Sequence, residues 1–186
     1  MPSLPVIHPA PLPYEARLQT RTRAAISQVV IHCTELPDLA MARSYGERVL
    51  YDSGTGNSGH YYIDRDGRIE QYVALERVAH HVRGHNNGSV GIELVNRGRW
   101  PHWLDSRHQT MLEDYPEAQL QALESLLRWL RAELPSLRSI AGHDTLDTSL
   151  ETASDDPSQQ VRRKLDPGPR FPWPRIVAAF ARASAA

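Results

Sequence analysis

The alternation of apolar and polar positions divides the chain into short β-branched runs and longer amphipathic ones. SQVVIHC (27–33) is apolar almost throughout and predicts a buried strand. LPDLAMARSYGERVLYD (36–52) predicts a helix, with Asp38 as N-cap and Leu39, Ala42, Tyr45 and Val49 on one face. HYYIDRDGRIEQYV (60–73) predicts two strands turning at Asp66–Gly67, and VGIELVN (90–96) a third. The strongest periodic segment is PEAQLQALESLLRWLRAEL (116–134), which places Leu120, Leu123, Leu127, Leu130 and Leu134 on one helical stripe. RSIAG (138–142) predicts a short strand, 144–163 a long polar and acidic loop, and PRIVAAFARA a closing helix. Glycine- and histidine-rich segments (53–59 and 79–89) read as loops, and 97–115 as irregular chain carrying Trp100 and Trp103. Strands separated by helices predict an α/β fold: a single domain with a mixed central β-sheet flanked by helices. The expected layout is a proline-rich, extended lead-in over 1–22 and a folded domain over 23–186, with 144–163 inserted in it.

Composition narrows the function classes. A length of 186 residues suits one domain that buries its own core without disulfides. A formal net charge of −1 gives no field that would recruit nucleic acid or an anionic membrane. The single cysteine excludes an intramolecular disulfide framework and any multi-cysteine zinc knuckle. The N-terminal stretch lacks the apolar core of a secretory signal, and no run approaches the length of a membrane span. A cytoplasmic chain is therefore expected; oligomeric state is not encoded in any visible pattern.

Nine histidines are the first sign of chemistry. His32 ends the first strand and reads either as its last buried residue or as a metal ligand. Glu93 lies inside an apolar strand, where a carboxylate is costly unless partnered. His143 follows a strand in AGHD, and Lys164 and Asp166 alternate in KLD just before DPGP. Two imidazoles and a carboxylate suit a catalytic zinc site that keeps a position for water. A carboxylate outside that set could move protons, and a nearby lysine could stabilise an oxyanion. Cys33, next to His32 on a strand, points to the opposite face and reads as a buried thiol. His80, His81 and His85 cluster in one loop and could suggest a second metal site, the less favoured reading of that loop. Lys164 follows Arg162 and Arg163, so a solvated basic patch is its alternative, and Trp100 and Trp103 suit either sugar stacking or loop anchoring.

Five motifs stand in one order: VVIHCTE, GHYYIDRDGRIEQYV, HHVRGHNNGSVGIELVN, AGHD and RRKLDPGPRFPW. In that order they resemble the zinc-dependent N-acetylmuramoyl-L-alanine amidases of type 2. That superfamily takes in AmpD, bacteriophage amidase lysozymes and peptidoglycan recognition proteins. The resemblance runs from residue 27 to about 175 and implies one zinc in a substrate groove. By motif position it implies His32, His143 and Asp166 as zinc ligands, Glu93 as the residue that activates water, and Lys164 as its cationic partner. His81 and Asn86 are implied as groove residues. Where bacteriophage members carry a catalytic tyrosine this chain has Gly59, which favours proton transfer by Glu93 alone. The implied activity is hydrolysis of the amide between the lactyl group of N-acetylmuramic acid and L-alanine, in peptidoglycan or its soluble fragments. A non-catalytic muropeptide-binding module and a zinc hydrolase for another amide are the competing readings.

Overall fold

Hydrogen-bonded pairing turns the predicted runs into a six-stranded mixed sheet in the computed structural model, which describes residues 4–182. The first three and last four residues of the expected layout lie outside the described residues. In chain order the elements are β1 (Ile7–Pro9), β2 (Gln28–Cys33), α1 (Leu39–Gly46), β3 (Tyr61–Ile63), β4 (Ile69–Gln71), β5 (Ser89–Leu94), α2 (Glu117–Glu133), β6 (Ser139–Gly142), α3 (His143–Leu146), β7 (Leu150–Thr152), β8 (Gln160–Arg162) and α4 (Trp173–Arg182). The sheet order is β1-β4-β3-β5-β2-β6. Strands β3, β5, β2 and β6 run parallel, whereas β4 is antiparallel to β3 and carries β1 parallel to itself at the edge.

Alternation along the central strands sorts side chains between two faces. Val29, Ile31 and Cys33 of β2, Val90, Ile92 and Leu94 of β5, and Tyr61 and Ile63 of β3 share one core with α2 and α4. Every leucine of the predicted stripe is buried there. Gln119, also buried, donates through Nε2 to the carbonyls of Ile63 and Val95 at 2.9 and 3.1 Å, pinning α2 to the strand ends. Arg175 of α4 reaches back to Glu117 and Glu124 of α2. Leu36, Tyr62 and Tyr72 form a second cluster on the other face with Ala42 of α1 and with Leu12, Tyr14 and Leu18 of the lead-in.

Three local expectations change. The lead-in, expected to be extended, forms an edge strand at Ile7–Pro9, where proline's missing N–H does no harm, and a 3-10 turn at Glu15–Arg17. Asp38 caps α1 as predicted, accepting from Met41 N at 2.7 Å, yet the helix stops at Gly46 and leaves Val49 58% exposed. Beyond Gly46 the backbone leaves the helical ladder, and both Leu50 N and Tyr51 N donate to the Thr55 carbonyl. The segment expected to be a plain loop over 144–163 contains the turn α3 and the β7–β8 hairpin. Each of its strands carries one apolar residue per three, too few to show periodicity, and Val161 is the one buried. Among the described residues no helix is long and apolar enough to cross a membrane.

Candidate metal centre and groove

Parallel register builds the site. On β2 and β5, His32 stands opposite Glu93, and on β3 Tyr62 stands opposite the same glutamate. All three therefore project from the face turned away from α2. A slip of one residue would send them into the apolar core instead. His143 begins α3 directly beyond β6, the neighbour of β2, so it too emerges at the C-terminal ends of parallel strands, where α/β sheets place their sites. Asp166 arrives from the segment after the hairpin, and its carbonyl accepts from Asp144 N at 2.9 Å, tying that segment to α3.

The three donors converge. His32 Nδ1 and His143 Nδ1 lie 2.9 Å apart, and Asp166 Oδ2 lies 3.1 and 3.0 Å from them. All three residues are buried. An N–H points at one acceptor, so hydrogen bonds cannot satisfy all three edges of such a triangle; one cation facing three lone pairs can. His143 Nε2 and Asp166 Oδ1 are buried with no hydrogen-bond partner among the described residues, so hydrogen bonding does not account for this cluster's burial. His32, His143 and Asp166 could thus hold a metal ion.

Electrostatics favour the ligand forms. Burial pushes the His32 imidazole down to about 4 against the opposing pull of Asp166, so the neutral ring prevails at neutral pH. Burial alone would raise the Asp166 carboxyl, but the imidazoles of His143 and His32 beside it outweigh that effect and hold the group well below the usual carboxylate range. Glu93 behaves in the opposite way. Burial and the Asp166 charge push it up to about 8, with Lys164 pulling the other way. Its Oε1 is 3.9 Å from His32 Nδ1, close beside the cluster but outside it. Gly59 makes this placement possible, because a Cβ there would meet Glu93 Cγ at 2.8 Å.

A groove of about 610 Å³ opens over the cluster and is lined by His32, Glu93, His143, Lys164, Asp166, His81 and Asn86 among others. Every site residue anticipated from sequence thus borders one cavity. Two of them have internal partners as well. His81 is 2.9 Å from His32 through Nδ1 and 3.2 Å from Ser89 Oγ through Nε2. Asn86 accepts from the backbone N–H groups of His81 and Val82 at 3.0 and 2.8 Å, folding the histidine loop. Cys33 has its side chain in the core behind the sheet, where burial pushes the thiol up and leaves it inert. Trp103 anchors a loop, donating from Nε1 to the Glu35 carbonyl at 3.1 Å.

Sequence reasoning missed one buried ion pair. Arg99 meets Glu35 in a fork, Nε to Oε1 at 2.7 Å and Nη2 to Oε2 at 2.8 Å. The same guanidinium donates to the carbonyls of Arg162 and Arg163, at 2.9 and 3.2 Å, immediately before Lys164. Glu35 sits at φ +49°, a conformation rare for a side chain other than glycine. Nothing in RGRW distinguishes Arg99 from a surface arginine, since its partners come from two distant segments.

Fold and cluster together define a class: an α/β domain with a three-donor cluster that could hold a metal ion, opening on a groove at the ends of parallel strands. More narrowly, the chain belongs to the N-acetylmuramoyl-L-alanine amidase family, whose profile matches residues 22–169. It is 32% identical over 136 residues to the 1,6-anhydro-N-acetylmuramyl-L-alanine amidase AmpD of Salmonella typhimurium, covering 68% of this chain and 59% of that one. It is 30% identical over 135 residues to the endolysin of Klebsiella phage KP32, covering 69% of this chain and 82% of the endolysin. The fold superposes with a TM-score of 0.62 and 25% identity on the Escherichia coli amidase AmiD, solved with the substrate anhydro-N-acetylmuramic acid-L-Ala-D-gamma-Glu-L-Lys; the match covers 83% of this chain and 57% of that one. The chain therefore spans about three fifths of the length of the AmpD relative.

Proposed function

We propose that this chain is a zinc-dependent amidase that hydrolyses the bond between the lactyl carbonyl of N-acetylmuramic acid and the nitrogen of L-alanine. The observation that carries the reading is the placement of Glu93. A carboxyl group with a raised pKa stands 3.9 Å from a three-donor metal cluster, in a groove large enough for a muropeptide. A pure binding module has no need of such a group. The match to named amidases and the fold of a substrate-bound one support the same conclusion.

His32, His143 and Asp166 are the proposed zinc ligands. The chemistry supplied by a bound zinc is Lewis acidity toward a carbonyl and a lowered pKa for water, to about 7. Glu93 does the proton work. A cation beside it favours its carboxylate form, which takes a proton from water as the water oxygen bonds to the carbonyl carbon. The resulting acid returns that proton to the alanine nitrogen as the C–N bond breaks, so one water is consumed and a carboxylic acid and an amine are released. Lys164 stabilises the negative charge that develops on the carbonyl oxygen. Asn86 meets the substrate through its amide nitrogen, its oxygen being engaged in the loop, and His81 contributes a ring to the groove wall.

Soluble anhydro-muropeptides in the cytoplasm are the proposed substrates. The deciding experiment measures release of peptide from 1,6-anhydro-N-acetylmuramyl-tripeptide and from intact sacculi, with zinc determined on the same protein. One zinc per chain and turnover of the small substrate alone is the expected result. Release from sacculi would move the substrate to the intact wall. Zinc without turnover of either would replace the amidase by a binding module or by a hydrolase for another amide.

A further inference from the structure

Behind the metal cluster, His32 has a second polar neighbour. Its Nε2 lies 2.9 Å from His81 Nδ1, and His81 Nε2 lies 3.2 Å from the hydroxyl of Ser89, which is fully buried at the start of β5. The Ser89 hydroxyl in turn donates to the carbonyl of His85 at 2.7 Å. That last bond fixes the direction of the whole series. A carbonyl only accepts, so the single hydroxyl hydrogen is committed to it, and Ser89 Oγ faces His81 as an acceptor. His81 must then carry its hydrogen on Nε2, which leaves Nδ1 a lone pair. His32 Nε2 must donate to that lone pair, and so His32 Nδ1 carries no hydrogen. Nδ1 is the atom that faces His143 and Asp166.

We propose that His81 and Ser89 form a tautomer-setting relay, anchored on the His85 carbonyl, that holds the His32 ring with its Nδ1 lone pair aimed into the three-donor cluster. On this assignment His81 is a positioning residue for a metal ligand. The backbone is shaped for it. At Gly91 on β5 a Cβ would meet Cγ and Nδ1 of His81 at 2.6 and 2.7 Å, so glycine leaves the space in which the ring lies. Asn86 fixes the backbone that carries this ring by accepting from the His81 and Val82 N–H groups. Without the relay, neutral His32 has a competing tautomer in which Nδ1–H donates to Asp166, and that tautomer has no lone pair for a metal. Partners that fix the tautomer of a ligating histidine typically change metal affinity 10- to 100-fold, roughly the size expected here.

The relay rests on the reading of His32, His143 and Asp166 as metal ligands, and its test separates the two. Zinc affinity is measured by chelator competition on the full chain and on Ser89→Ala, His81→Leu and His81→Asn, with metal-free unfolding midpoints confirming that each folds. Ring ¹⁵N shifts report the tautomers in the wild type, with and without zinc. Ser89→Ala is expected to weaken zinc binding roughly 10-fold and His81→Leu about 10- to 100-fold. His81→Asn recovers part of the loss, because its side-chain oxygen accepts where Nδ1 did. Both His32 and His81 are expected to carry hydrogen on Nε2. Unchanged zinc affinity in folded Ser89→Ala and His81→Leu, or hydrogen on His81 Nδ1, overturns the relay and leaves the zinc site standing. A wild type that binds no zinc overturns the metal reading instead, and the ¹⁵N tautomers of that same metal-free protein still decide the relay.

Discussion

Asp166 is a buried carboxyl group and Glu93 a half-buried one, yet their surroundings drive them apart. Asp166 is held ionised by two imidazoles, while Glu93 is raised to about 8 by burial and by the Asp166 charge. The sign of the consequence follows from linkage. A carboxyl whose folded pKa exceeds its unfolded value of about 4.5 contributes stability below pH 4.5 and loses it as pH rises to about 8. Metal-free wild type should therefore match Glu93→Gln in urea unfolding near pH 4.5 and fall behind it progressively up to pH 8. By pH 9 the deficit should be on the order of 5 kcal/mol, the whole rise from about 4.5 to about 8 taken at about 1.4 kcal/mol per pKa unit. Equal midpoints at pH 9 would show that Glu93 is not raised. For catalysis, Lys164→Met is expected to lower kcat roughly 100-fold with little change in KM, the usual loss when one oxyanion-stabilising group is removed. A KM effect alone would make Lys164 a binding residue.

Elements matter here chiefly through register and through the ties between them. His32, Glu93 and Tyr62 share a face because β2, β5 and β3 are parallel and aligned, a relation that joins residues far apart in sequence. The Arg99–Glu35 pair does similar work for the segment that delivers Lys164 and Asp166. Removing one partner of a buried ion pair leaves the other charge uncompensated, at a cost of about 3–5 kcal/mol. Arg99→Leu should lose about that much stability in chemical denaturation, and the double variant Arg99→Leu/Glu35→Leu should recover part of it. Additive losses would mean that the two charges act independently. The strand and helix cores were legible from periodicity, since Ile31, Ile92 and the α2 leucines repeat at the spacing of their elements. The β7–β8 hairpin and the end of α1 were not, because sparse apolar residues and a single glycine leave too little pattern to read.

At the scale of the whole molecule, two helices shield one face of the sheet, and the other face carries the groove, lined by Tyr45 of α1, by strand residues and by loops. The three proposed ligands come from three distant segments, so binding of a metal should couple to global stability. Free zinc at 100 times its dissociation constant is expected to add about 2.7 kcal/mol. For a chain of this size that raises the thermal midpoint by about 5–10 °C. A chelator should reverse the shift and abolish the proposed amidase activity, and calorimetry with and without zinc checks the shift. His143→Ala should remove the zinc-dependent shift. A shift that survives in that variant would place the ion elsewhere.

The sequence by itself determined most of the strands and helices, that one face of each must be buried, and, through the order of five motifs, which side chains to expect around one groove. Those features are local, since periodicity and residue type are written in short windows. Only the tertiary structure decided what those side chains do to one another. The His32 tautomer depends on His81 and Ser89 in another part of the chain, and Arg99 is buried because Glu35 and two backbone carbonyls meet it. Glu93 is raised because the fold buries it and sets Asp166, remote in sequence, beside it. Distances between remote segments set the electric field and the hydrogen-bond directions, and no window of sequence contains them.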